Sequence, residues 1–166
     1  VVAKFNQFAK QSDGRLTAFL DTTTFQPDGK RVDKPTLLGN AVAILKGTDG
    51  SDKRVYVVSG HLDSRVTDVM NRTSDAPGAN DDGSGVAGVI EAARIMSKYK
   101  FAATIIFVAV SGEEQSLLGS GFMAAKAKKE GWNIDAMLNN DMIGSNNSSE
   151  TQIIDNTRLR VFSEGL

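Results

Sequence analysis

The chain has 166 residues, 40% of them apolar, and carries 19 basic against 20 acidic side chains for a net charge of −1. That length suits one domain with a sizeable core, and the near-neutral balance leaves no electrostatic footprint for nucleic acid or an anionic membrane surface. With no cysteine there are no disulfides, thiolate nucleophiles or Cys-based metal sites, and the single histidine, His61, limits any metal site to one imidazole among carboxylates.

The chain opens at Val1-Val2 without an initiator Met, as expected of a trimmed chain or one that has lost a leader. Val2, Phe5, Phe8 and Ala9 fall at helical spacing and predict a short amphipathic helix over 1–10. Residues 15–21 alternate as a strand does, and Gln26-Pro27-Asp28-Gly29 is turn chemistry. Residues 40–46 and 54–59 read as two strands joined by a polar hairpin loop over 47–53. Segment 65–80 is polar and broken by Pro77-Gly78, the profile of a surface loop over a site. A helix opens at 81–84 and runs to about residue 98, with Val86, Val89, Ile90, Ala93 and Met96 as its buried stripe and Asp82 or Ser84 as its cap.

Residues 104–110, TIIFVAV, have the length and β-branched character of a strand buried on both faces. Ser111-Gly112 ends that run, Glu113 and Glu114 follow, and good helix formers continue over 117–129. A further strand at 134–138 enters Asn139-Asn140-Asp141, a polar loop occupies 145–150, a short strand 151–154, and 158–166 leads out of the chain. No apolar run approaches the roughly 20 residues that cross a bilayer. Strand and helix alternate from residue 54 onward, which predicts an α/β fold: a three-layer sandwich whose mixed, largely parallel central sheet has helices on both faces.

Chemistry-bearing residues recur where open α/β sheets keep their ligand crevice, beyond the carboxyl ends of strands. His61 with Asp63, Asp81 with Asp82, Glu113 with Glu114, and Asp141 are all placed there by the predicted elements. Singly each has an ordinary explanation, since a lone histidine is more often a hydrogen-bonded structural residue and an Asp before a helix is often only its cap. Jointly they would form a strongly repulsive cluster unless a divalent cation, or two, sat among them. An imidazole among carboxylates suits zinc and, less exclusively, manganese or cobalt.

Four stretches in order, VSGHLDS at 58–64, PGANDDGSG at 77–85, SGEE at 111–114 with Leu118-Gly119-Ser120, and NDMIG at 140–144, resemble the motifs of the dizinc aminopeptidases of clan MH. The resemblance implies that His61, Asp81 and Asp141 hold one zinc and Asp81 and Glu114 the second, with Asp81 bridging. It implies Glu113 as general base, Asp63 as the carboxylate that orients the His61 imidazole, and Asp82 as structural. Gly83 and Gly85 would let the helix start approach the metals. The chemistry is coherent on its own terms: two cations acidify a shared water and polarise a scissile carbonyl, and a carboxylate not spent on metal can carry the proton.

The implied function is a zinc-dependent exopeptidase acting on peptides with a free N-terminus. A secreted or periplasmic location goes with the resemblance. The second zinc of that family takes another histidine from farther downstream. The expectation is therefore a single catalytic domain over 1–166, incomplete at its C-terminus, with the second zinc site short of ligands and an apolar sheet edge that favours self-association. Alternatives on the same scaffold are a single-zinc glutaminyl cyclase, a dipeptide carboxypeptidase and a non-catalytic receptor-type domain.

Overall fold

The computed structural model describes residues 1–145; the strand expected at 151–154 and the segment 158–166 lie outside the described residues. In chain order the elements are α1 (Val2–Ala9), β1 (Leu16–Phe25), β2 (Thr36–Leu45), β3 (Arg54–His61), α2 (Gly83–Met96), β4 (Thr104–Val110), α3 (Leu118–Glu130) and β5 (Asn133–Asn139). The five strands form one sheet in the order β1-β2-β4-β3-β5. β4, β3 and β5 run parallel, while β2 lies antiparallel to β4 and β1 antiparallel to β2. The sheet is thus mixed, with its parallel part where strand and helix alternate in sequence.

The TIIFVAV run spans β4, and it is central for the reason its composition gives. Ile105 to Val110 are all buried, so both faces and both edges of the strand need partners. That requirement overturns the expected 40–46/54–59 hairpin. β2 and β3 are not neighbours; β4 lies between them, pairing Ala41↔Ala109 to Leu45↔Ile105 on one side and Val55↔Thr104 to His61↔Val110 on the other. Loop 47–53 crosses the start of β4 instead, held by the Thr48 N–H donating to the Phe101 carbonyl at 2.8 Å. β1 and β2 also run longer than expected, because their mutual pairing continues through Phe25↔Thr36 into the polar connection.

Side chains alternate across the sheet and so divide the core in two. Ala43, Leu45, Val58, Ile105 and Phe107 face α1 and α2 and pack with Phe5, Val89 and Ala93. Val42, Val57, Ile106, Val108 and Val110 face the other way, against Met123 of α3 and, partly buried, Trp132. Of the stripe expected on α2, Val86, Val89 and Ala93 are buried, while Ile90 and Met96 pack partly covered against the core. β5 is the sheet edge among the described residues, and its Ile134, Met137 and Leu138 are exposed. No described helix is long and apolar enough to cross a membrane.

Candidate metal centre

Three parallel strands deliver their carboxyl ends to one edge of the sheet. His61 is the last residue of β3, Asp141 follows Asn140 just beyond β5, and Glu113 and Glu114 lie three and four residues past Val110. Asp81 and Asp82 reach the same edge differently. They stand at the N-terminus of α2 and not at a strand end, joined by a cis peptide, with Asp82 as the helix N-cap. The close approach of α2 to the sheet depends on Gly85: a Cβ there would collide with the Asn140 carbonyl and the Asp82 carboxylate.

His61 Nε2 lies 3.0 Å from Asp81 Oδ1 and 4.0 Å from Asp141 Oδ2. The donor atoms of the three residues all fall within 4.8 Å of one another. Ligands about 2.0–2.2 Å from a zinc ion lie about 3.3 Å apart in a tetrahedron, so the two measured separations bracket that spacing. The donor set also fits in kind. The ring of His61 is buried, and its Nδ1 stands 2.9 Å from the Asp63 carbonyl. A carbonyl only accepts, so Nδ1 carries the proton and Nε2 of the neutral ring is left with a lone pair turned toward the two carboxylates.

Asp82 fixes the relative placement of these three residues. Only 1% exposed, its carboxylate accepts from the backbone N–H of His61 at 2.8 Å, of Gly85 at 2.9 Å and of Met142 at 3.2 Å. One side chain thereby pins β3 beside His61, the start of α2 beside Asp81, and the turn beside Asp141. The structural role expected of Asp82 is the one observed.

Asp63 behaves differently from the expectation. Its carbonyl, not its carboxylate, orients the imidazole; the carboxylate stands 3.9 Å from Nδ1. The carboxylate instead accepts from the N–H groups of Glu113 at 3.1 Å and Glu114 at 3.0 Å. It therefore shapes the turn that carries the acidic pair. Asn40, buried in β2, braces that turn from the other side, accepting from Ser111 N at 3.1 Å and donating to the Gly119 carbonyl at 2.8 Å. Glu114 is held by Arg65, whose Nε donates to Oε2 at 2.6 Å, and with its side chain 12% exposed it stands outside the His61–Asp81–Asp141 group. The geometry so described could hold a cation at one sheet edge, with an uncommitted carboxylate, Glu113, beside it.

A family model for Peptidase family M28 matches residues 40–164. The chain belongs to that family. Among relatives, a probable zinc metalloprotease from Pyricularia oryzae is 54% identical over 165 residues, covering 99% of this chain and 32% of its own length. A second, from Leptosphaeria maculans, is 43% identical, covering 99% and 38%. The chain thus spans about a third of the length of these relatives. Among solved structures, Legionella pneumophila LapA aligns with a TM-score of 0.57 at 29% identity over 85% of this chain and 35% of LapA. An aminopeptidase from Aneurinibacillus sp. strain AM-1 aligns at 0.54 and 31% identity over 67% of this chain and 27% of its own. Glutaminyl cyclase from Porphyromonas gingivalis shares the fold, with a TM-score of 0.66 at 22% identity over 86% of this chain and 50% of its own.

Burial and the acidic surroundings displace the titrations of these groups. Burial raises the Glu113 carboxyl above its ordinary value, and Glu114, Asp141 and Asp63 add to the rise while His61 opposes it. Burial likewise raises Asp141, with Asp82, Asp81 and Glu114 adding and His61 opposing. At His61 burial disfavours the charged ring, but the bond to the Asp63 carbonyl and the carboxylates of Asp82, Glu113 and Asp63 outweigh it, so its pKa stands above normal. Arg65 and Asn40 were not singled out from sequence. Arg65 offered a weak signal, lying two residues after Asp63; Asn40, 71 positions from Ser111, offered none.

Proposed function

We propose that this M28 chain carries the zinc-binding part of a metallo-exopeptidase, an aminopeptidase that removes N-terminal residues from peptides. The observation that carries the reading is the convergence of His61, Asp81 and Asp141 on one point with Glu113 beside it and outside the ligand group. His61, Asp81 and Asp141 would hold zinc, as the names of the relatives suggest; bound there, zinc supplies Lewis-acid polarisation and acidifies water. Glu113 takes the proton of the attacking water and returns it to the leaving amine. Burial raises its carboxyl above the ordinary value, the direction that suits a group which both accepts and returns a proton. Asp63 keeps Glu113 in place through its backbone N–H. A free N-terminus over an internal peptide bond is supported by the likeness to the aminopeptidase from Aneurinibacillus sp. strain AM-1, at 31% identity.

The test is Glu113→Gln in the full-length protein. Hydrolysis of an aminoacyl-anilide should fall by about 10² or more with zinc content retained. Loss of zinc, or activity within about tenfold of wild type, would remove Glu113 from the role of base. A second reading, a glutaminyl cyclase using one cation, is favoured by the single three-donor group among the described residues. Conversion of N-terminal glutamine peptides to pyroglutamyl peptides with release of ammonia, and no anilide hydrolysis, would decide for it.

A further inference from the structure

The edge that carries the metal centre is polarised along its length. Across the sheet, the ends of β5 and β3 present Asp141 and His61, the start of α2 adds Asp81 beside them, the end of β4 presents Glu113, and the antiparallel β2 brings its N-terminal end to the same edge. Beyond Glu113 on that β2 side lies a cavity of about 560 Å³, bordered by Asp63 and Gly112. Its walls include apolar Val32, Leu38 and Met70, and its charges are the cations Arg31, Lys34 and Arg72 with Asp33 and Asp63. Both carboxylates are committed. Asp33 pairs with Arg72, and Asp63 accepts from the N–H groups of Glu113 and Glu114. Arg31 places one N–H, from Nη1, on the Glu114 carbonyl at 2.6 Å and keeps its other donors. Among the described residues no hydrogen bond or ion pair engages the exposed Lys34 ammonium.

We propose that this cavity binds the leaving-group side of the substrate and selects a carboxylate there, so that the preferred peptides carry a negative charge on the residue just after the scissile bond. The inference rests on the exopeptidase reading for the direction of the chain. A short peptide laid along the edge with its N-terminal residue on the His61–Asp81–Asp141 side meets Glu113 at its scissile bond and Lys34 and Arg31 at its carboxylate, while Val32, Leu38 and Met70 receive apolar parts of the same residue. A dipeptide's terminal carboxylate and an acidic side chain share this chemistry.

Binding of intact peptides to the Glu113→Gln protein by calorimetry tests the cavity apart from turnover. Ala-Leu presents the terminal carboxylate, Ala-Glu-amide the side-chain carboxylate, and Ala-Leu-amide neither. At least one charged peptide should bind about tenfold more tightly than Ala-Leu-amide, the yield of one hydrogen bond to a charged group; which one does identifies the source. Lys34→Glu, a change at an exposed position, should erase that preference in the same background. Equal binding of all three peptides, no binding at all, or a preference that survives Lys34→Glu would overturn the proposal. Hydrolysis of the same peptides by the unmodified protein is scored separately, so a failed peptidase reading and a failed cavity are distinguishable.

Discussion

Replacing Asp82 with alanine should unfold the metal centre from behind, without removing a metal ligand. The carboxylate accepts three backbone N–H bonds, from His61, Gly85 and Met142, at 2.8 to 3.2 Å. A hydrogen bond to a charged group contributes about 1.5–3 kcal/mol, and losing an N-cap costs about 1 kcal/mol. The three bonds share one carboxylate, two of them on Oδ1, and the Met142 bond is long, so their sum is discounted to about 3–5 kcal/mol. Against a domain stability of about 5–15 kcal/mol that is a large fraction. Urea unfolding of metal-free protein is the assay: with a slope of about 2 kcal/mol/M, the midpoint should fall by about 2 M. Asp81→Ala is the control, since its half-exposed side chain should change stability by no more than about 0.5 kcal/mol while abolishing zinc binding. A shift below about 1 kcal/mol for Asp82→Ala would refute the argument that this carboxylate ties β3, α2 and the Asp141 turn together.

Arg65→Met should free Glu114 from its 2.6 Å ion pair; zinc titration by calorimetry should then show the second equivalent binding more tightly with the first unchanged, and an unchanged second equivalent would mean that Arg65 does not compete for Glu114. Asn40→Ala should cost about 2–4 kcal/mol, because it strands the buried Gly119 carbonyl and the Ser111 N–H; a loss under about 1 kcal/mol in thermal unfolding would show that the turn before Glu113 holds without it.

The parts of this molecule legible in sequence are those whose cause is local. Residues 104–110 are a strand buried on both faces because a short apolar, β-branched run has few other uses, and the structure gives it those bounds. His61 and Asp141 follow from the ends of β3 and β5, so a correct strand assignment places both. Strand neighbours were not legible in the same way. A polar loop over 47–53 between two strands reads as a hairpin, and only the need of β4 for partners on both edges makes the chain cross over instead.

The site divides along the same line. The candidate metal ligands are recognised by residue type and by position, His61 and Asp141 after a strand and Asp81 before a helix, all short-range properties. The groups that hold them act across long separations: Asp63 on the backbone of Glu113 and Glu114, 50 and 51 positions away, Asp82 on Met142, 60 away, and Asn40 on Gly119, 79 away. Each uses an ordinary polar side chain to accept or donate one or more backbone bonds, and its sequence neighbourhood does not distinguish it from a cap or a turn residue. Asp63 shows the consequence. The family resemblance implies a carboxylate on the imidazole, but the backbone carbonyl already satisfies Nδ1 at 2.9 Å, which leaves the carboxylate available to the turn after β4. One residue therefore sets the His61 tautomer with its main chain and positions Glu113 with its side chain, coupling the cation site to the proposed base through a single backbone unit.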